Sequence, residues 1–120
     1  MKKVRKTNPE LLRLIEKAKE LAIKNESKFW KRVAKELMKP NRRRRVVNLG
    51  KVNRYTKKGE VVLVLGKLLS MGELKHPLTI SAFSCSEAAR EKLKKAKAKY
   101  VELEKFMKLY PEGKGVKLLG

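Results

Sequence analysis

Between Lys39 and Gly59 the chain reads KPNRRRRVVNLGKVNRYTKKG, nine cations with no acid among them. Four are consecutive, Arg42, Arg43, Arg44 and Arg45, placed after Pro40 and ahead of Val46-Val47-Asn48-Leu49. Guanidinium groups packed this tightly repel one another until a polyanion neutralises them, and phosphate is the anion an arginine fork grips in two places. Lys51, Arg54, Asn48, Asn53 and Tyr55 lie in the same tract. The amides suit sugar hydroxyls or base edges and the phenol ring suits base stacking, both modes of RNA recognition. Solvated loops usually mix acids with their lysines, so the tract reads as a nucleic-acid contact ahead of a plain surface loop. A basic arm at residues 1–7, with Lys2, Lys3, Arg5 and Lys6, adds to it.

Groups able to titrate or attack near neutral pH are scarce. His76 is the only histidine and precedes Pro77 at a strand entrance. A loop imidazole bonding backbone or phosphate is the simpler reading than a general base. Cys85 is the only cysteine, so no internal disulfide forms, and without Asp or a second His the partners of a nucleophilic thiol are missing. One His and one Cys fall short of a zinc site, and a magnesium site built from acids is implausible in a chain without Asp. Gly59 to Lys67 superficially suggests a phosphate loop, but the spacing is wrong and Leu68 stands where Ser or Thr is required. The Gly66-Lys67 turn retains a modest reading, amides and a lysine offered to one phosphate. No cofactor, metal or small-molecule substrate is expected.

The chain has 120 residues, 33 Lys+Arg against 12 Asp+Glu, and a net charge of +21. A charge this large draws polyanions and opposes self-association. Hydrophobic residues reach 42%, enough for one domain with a real core. No stretch approaches the ~20 apolar residues of a spanning helix, so a membrane is not the expected polyanion. Absent disulfides suit a reducing cytoplasm.

The elements that must position these residues follow from periodicity. Asn8-Pro9-Glu10 is a helix start, and Leu11, Leu14, Ile15, Ala18, Leu21 and Ala22 recur at helical spacing. Ser27 caps a second helix whose apolar face holds Phe29-Trp30, Val33-Ala34 and Leu37-Met38, with Trp30 expected in the core instead of on a base. Val46, Val47, Leu49 and Val52 suggest a short strand, and Val61 to Leu65 a strand buried on both faces. Gly66 to Gly72 reads as a glycine-bounded connection and Leu78 to Phe83 as a strand. Ser84 to Glu87 matches a capping box ahead of a helix over 86–98, whose outer face carries Lys92, Lys94, Lys95, Lys97 and Lys99. Tyr100-Val101 suggests a brief strand, 102–110 a last helix and Val116 to Leu119 a terminal strand. Two helices followed by alternating strands and helices favour a single layered α/β domain over residues 8–120. A helix-turn-helix is not favoured, because the most basic segment follows the second helix instead of lying along it.

The succession NPEL (Asn8 to Leu11), FWKRVAKEL (Phe29 to Leu37), VNLGKVNR (Val47 to Arg54), GKLLSMGEL (Gly66 to Leu74), LTISAFS (Leu78 to Ser84) and YPEGKGV (Tyr110 to Val116) resembles the archaeal and eukaryotic large-subunit ribosomal protein family numbered eighteen-e. The resemblance covers residues 5–120. Two departures are a Leu65 where members often carry proline, and Ala96-Lys97-Ala98-Lys99 where they often carry a glycine pair. The resemblance implies the irregular β-β-α superhelix shared with bacterial-type ribosomal protein fifteen. It implies a non-catalytic role binding large-subunit rRNA beside neighbouring ribosomal proteins, and the absence of a long basic extension suggests an archaeal type. RNA-facing positions would be Arg42 to Arg45, Asn48, Lys51, Asn53, Arg54, Lys67 and His76. The competing readings are an RNA-processing enzyme or its subunit, motivated by His76, and a DNA compactor.

Overall fold

The computed structural model describes residues 9–39 and 45–120. Two helices come first, α1 (Pro9–Lys24) and α2 (Lys28–Leu37), followed by β1 (Arg45–Asn48), α3 (Leu49–Tyr55), β2 (Val61–Leu69) and β3 (Thr79–Cys85). Then come α4 (Glu87–Lys95), β4 (Lys99–Tyr100), α5 (Leu103–Leu109) and β5 (Val116–Leu119). All strand pairings are parallel. β2 is the spine, with β3 and then β4 on one side. On its other side β5 pairs with Val61 to Val64 and β1 with Gly66 to Leu69, so two short strands share one edge end to end.

A parallel sheet requires cover on both faces, and the alternation along β2 supplies two cores. Val62, Val64 and Leu68 pack with Leu49 and Val52 of α3 and with Ala89 and Leu93 of α4. Leu63 and Leu65 pack against Ile15 and Ala18 of α1, Trp30 and Val33 of α2, and Phe106 and Met107 of α5. This is the layered α/β domain expected from the sequence. Trp30 is fully buried as expected, its Nε1 donating to the Tyr110 carbonyl at 3.0 Å. Ser27 caps α2 by accepting from Trp30 N at 3.2 Å.

Several expectations are corrected. The strand expected through Val52 ends at Asn48, and Leu49 to Tyr55 is helical. Leu49 and Val52, three apart, share the buried face of α3, whereas Val46 is 56% exposed. The connection expected at Gly66 to Gly72 is strand as far as Leu69. Gly66 lies in β2 because the Arg45 carbonyl of β1 occupies the space a Cβ would need. β3 likewise runs on to Cys85, opposite Leu68, and Ser86 N donates to the Leu68 carbonyl at 3.0 Å. The cap of α4 is therefore Ser86, accepting from Ala89 N at 3.1 Å, and not Ser84. That helix stops at Lys95 because Lys97 takes φ +61 and Ala98 N closes back on the Leu93 carbonyl at 2.9 Å, a Schellman ending. The small strand lies one residue earlier than expected, at Lys99–Tyr100.

Candidate nucleic-acid interface

Burial of Leu49 and Val52 orients α3, leaving Arg54 and Tyr55 exposed and Lys51 and Asn53 half-buried. Beside it runs a strap, residues 70–76, from the end of β2 toward β3. Asn48 Oδ1 accepts from Met71 N at 3.1 Å, Gly50 N donates to the Met71 carbonyl at 2.9 Å, and Asn53 Oδ1 accepts from Lys75 N at 2.9 Å. Gly72, at φ +89, approaches so closely that its Cβ would stand 2.6 Å from Gly50 Cα. From α4, Lys92 Nζ donates to the carbonyls of Ser70 and Gly72, each at 2.9 Å. The two asparagines thus use their carbonyl oxygens to hold the strap on α3.

His76 closes the strap. Thr56 Oγ1 donates to the Val52 carbonyl at 2.6 Å and lies 2.8 Å from His76 Nε2. A hydroxyl has one proton, so His76 Nε2 carries the hydrogen and donates to Thr56. That imidazole nitrogen is tied to the fold and does not serve as a base. At the other end of α3, Lys117 Nζ donates to the Tyr55 carbonyl at 2.8 Å and to Glu60 Oε1 at 3.4 Å. The Glu60 carboxyl is held below its ordinary value chiefly by the Lys57 amide, which outweighs the opposing effect of burial, with Lys117 assisting.

Arg45 opens β1, its Nη2 3.8 Å from Glu36 Oε2. Lys67 is exposed on β2, in register with Val46 and with Ser84 of β3, so it sits one strand from Arg45. It is a strand lysine and not the turn residue expected from Gly66-Lys67. The structure therefore brings Asn48, Lys51, Asn53, Arg54, Tyr55 and His76 together on α3 and the strap, with Arg45 and Lys67 on adjoining strands. Lys2, Lys3, Arg5, Lys6 and Arg42 to Arg44 lie outside the described residues. Among the described residues no side-chain carboxylate forms an ion pair with Lys51, Arg54, Lys57, Lys58 or Lys67, although Lys51 Nζ donates to the Gly120 oxygen at 3.2 Å, while seven ion pairs form elsewhere or at the edge of this surface.

Two residues with a part in the site carried no signal in the sequence. Glu36 lies on α2 ahead of the acid-free tract, and Lys92 looked like one more solvated lysine. Cys85 is a packing residue: burial, first of all, pushes its thiol up, against the pull of Arg90. Among the described residues no group of three or more His, Cys or Glu is placed to hold a metal ion. No described helix is long and apolar enough to cross a membrane.

The family model described as ribosomal protein 60S L18 and 50S L18e matches residues 1–120. The chain belongs to the L18/L18e family of ribosomal proteins. It is 42% identical to the large ribosomal subunit protein eL18 of Methanoregula boonei over 116 residues, 97% of this chain and 96% of that protein. With eL18 of Methanococcus maripaludis the identity is 40% over 119 residues, 99% of each chain. With eL18 of Sulfurisphaera tokodaii it is 42% over 106 residues, 88% of this chain and 90% of that one. This L18e-family chain is thus of archaeal type, and its family is one of ribosomal proteins and not of enzymes.

Proposed function

We propose that the chain is a structural constituent of the large subunit of a cytoplasmic ribosome, binding and stabilising large-subunit rRNA as a monomer beside neighbouring ribosomal proteins. The observation that carries this reading is the tethering of the strap to α3, which presents Arg54 and Tyr55 outward from a fixed backbone, with no acid paired to Arg54 among the described residues and with Lys51 beside them, its Nζ donating to the Gly120 oxygen at 3.2 Å. Arg45 and Lys67 add cations on β1 and β2, on the side of the sheet that α2 covers, so the contact wraps the sheet edge. The cations clamp phosphates, which positions the protein without reading sequence. Asn48 and Asn53 hold the surface in shape and turn their amide nitrogens to sugar or base edges. Arg42 to Arg44 and the arm residues Lys2, Lys3, Arg5 and Lys6 complete the contact, and His76 lies at its margin.

Fractionation tests this directly. The protein sediments with large subunits and leaves them at high salt or on ribonuclease treatment. A pool that is free and indifferent to salt would refute the reading. The enzyme alternative predicts a nuclease activity lost in His76→Ala, and the tied Nε2 of His76 argues against it.

A further inference from the structure

On the opposite face of the sheet from α3, the paired helices α1 and α2 enclose a groove of about 610 Å³. Its floor is apolar, formed by Ala22, Ile23, Ala34 and Met38. Ile23 is 80% exposed and Met38 50%, unusual positions for large hydrophobes in a chain this polar. The rim carries Lys19 from α1 and Lys28, Lys31 and Lys35 from α2, against the single acid Glu26. Lys28, Lys31 and Lys35 are spaced i, i+3 and i+7, so they form one row along α2.

We propose that this groove docks an acidic amphipathic helix of a partner protein. Its apolar stripe covers Ile23 and Met38, and its flanking carboxylates meet the lysine row, a helix-in-groove arrangement. Charge complementarity selects this occupant. The undescribed segments of the chain itself, residues 1–8 and 40–44, carry four and three cations and no acid, so the rim repels both. A second copy, at +21, is repelled for the same reason. RNA would satisfy the lysines but leave an aliphatic floor against phosphate and sugar, and the floor offers no aromatic ring on which a base stacks. The inference does not depend on rRNA binding, because none of its residues lies on β1, α3 or the strap.

The test uses the full chain and a fluorescein-labelled helical peptide with leucine on one face and glutamate on the others. Anisotropy should show saturable binding, weakened about tenfold or more by Ile23→Ser and likewise by Lys31→Glu with Lys35→Glu. All three side chains are exposed, so the fold persists, and far-UV circular dichroism verifies it. Lys51→Ala with Arg54→Ala should leave peptide binding unchanged, which separates this groove from the rRNA surface. A peptide with serine in place of leucine, or a single-stranded RNA of equal charge, should not be sensitive to Ile23→Ser. Absence of saturable peptide binding overturns the proposal. So does full binding by Ile23→Ser, or RNA that displaces the peptide and loses affinity with Ile23.

Discussion

Glu36 Oε2 on α2 lies 3.8 Å from the Arg45 guanidinium on β1 and 3.2 Å from Lys39 Nζ. Arg32 Nε is 3.9 Å from the same oxygen. Lys39 and Arg45 flank residues 40–44 on either side, so one carboxylate, itself nearly buried, anchors both ends of the arginine-bearing segment. The tract is free of acid in sequence but is held from outside by an acid of the preceding helix.

Glu36→Gln tests that anchor. Loss of the charge leaves three cations facing a neutral amide, and stability should fall by about 1–2 kcal/mol, discounted for the partial exposure of the cations. Urea unfolding followed by circular dichroism measures it. Binding to rRNA at low salt should not weaken, because the substitution adds net positive charge; a loss of affinity with unchanged stability would place Glu36 in the contact itself.

The strap makes a second prediction. Asn48→Ala and Asn53→Ala each remove an acceptor from a strap amide, Met71 N and Lys75 N respectively. Hydrogen exchange at the corresponding amide should quicken about tenfold, with a global stability loss of about 1 kcal/mol. If exchange is unchanged, the strap is held by the Gly50 and Lys92 bonds alone.

Salt dependence reports the number of phosphates neutralised. Each of Lys51→Ala, Arg54→Ala and Lys67→Ala should reduce the log–log slope of rRNA affinity against salt by about 0.7–0.9. A slope unaltered in Lys67→Ala would remove that strand lysine from the interface.

The end of α4 supplies a stabilising substitution. Lys97 adopts φ +61, a left-handed conformation that suits glycine. Lys97→Gly should stabilise the chain by about 0.5–1 kcal/mol in thermal or urea unfolding. Destabilisation would mean that the lysine side chain contributes a contact larger than the backbone strain.

Acid sensitivity has a defined origin at Glu104, whose carboxyl is held below its ordinary value of 4.5, first by a hydrogen bond from Lys17 and then by its charge. A lowered folded value means that the contribution is present above the unfolded value and disappears as pH falls through the folded one. Between pH 5 and about pH 3 the Glu104→Gln variant should therefore lose less stability than the parent. Equal acid losses in the two proteins would show that the Lys17 contact between α1 and α5 contributes nothing.

Periodicity alone located α1, α2, β5 and the buried core of β2, because each has one clear repeat or an uninterrupted apolar run. It failed where tertiary contact decides. A four-residue strand and a seven-residue helix share the valine-rich stretch 45–55, and only the burial of Leu49 beside Val52 separates them. Gly66 looks like a turn, yet it is there to admit the Arg45 carbonyl of a neighbouring strand. Ser84 has the spacing of a cap, but pairing of Cys85 with Leu68 extends the strand and passes the role to Ser86. Of the candidate site, the cations of the tract were legible because charge density is a property of sequence. Glu36 and Lys92 were not, because a carboxylate nine residues from Arg45 and a lysine twenty from Gly72 acquire their partners only through the fold.

Protection mapping of large-subunit rRNA with the full chain bound tests the central claim most directly. A discrete set of backbone positions should be shielded, and a subset should reappear when Lys51→Ala and Arg54→Ala are combined while the fold stays intact. Absence of shielding, or shielding that the double variant leaves untouched, would contradict the assignment of α3 and its strap as the rRNA-binding surface.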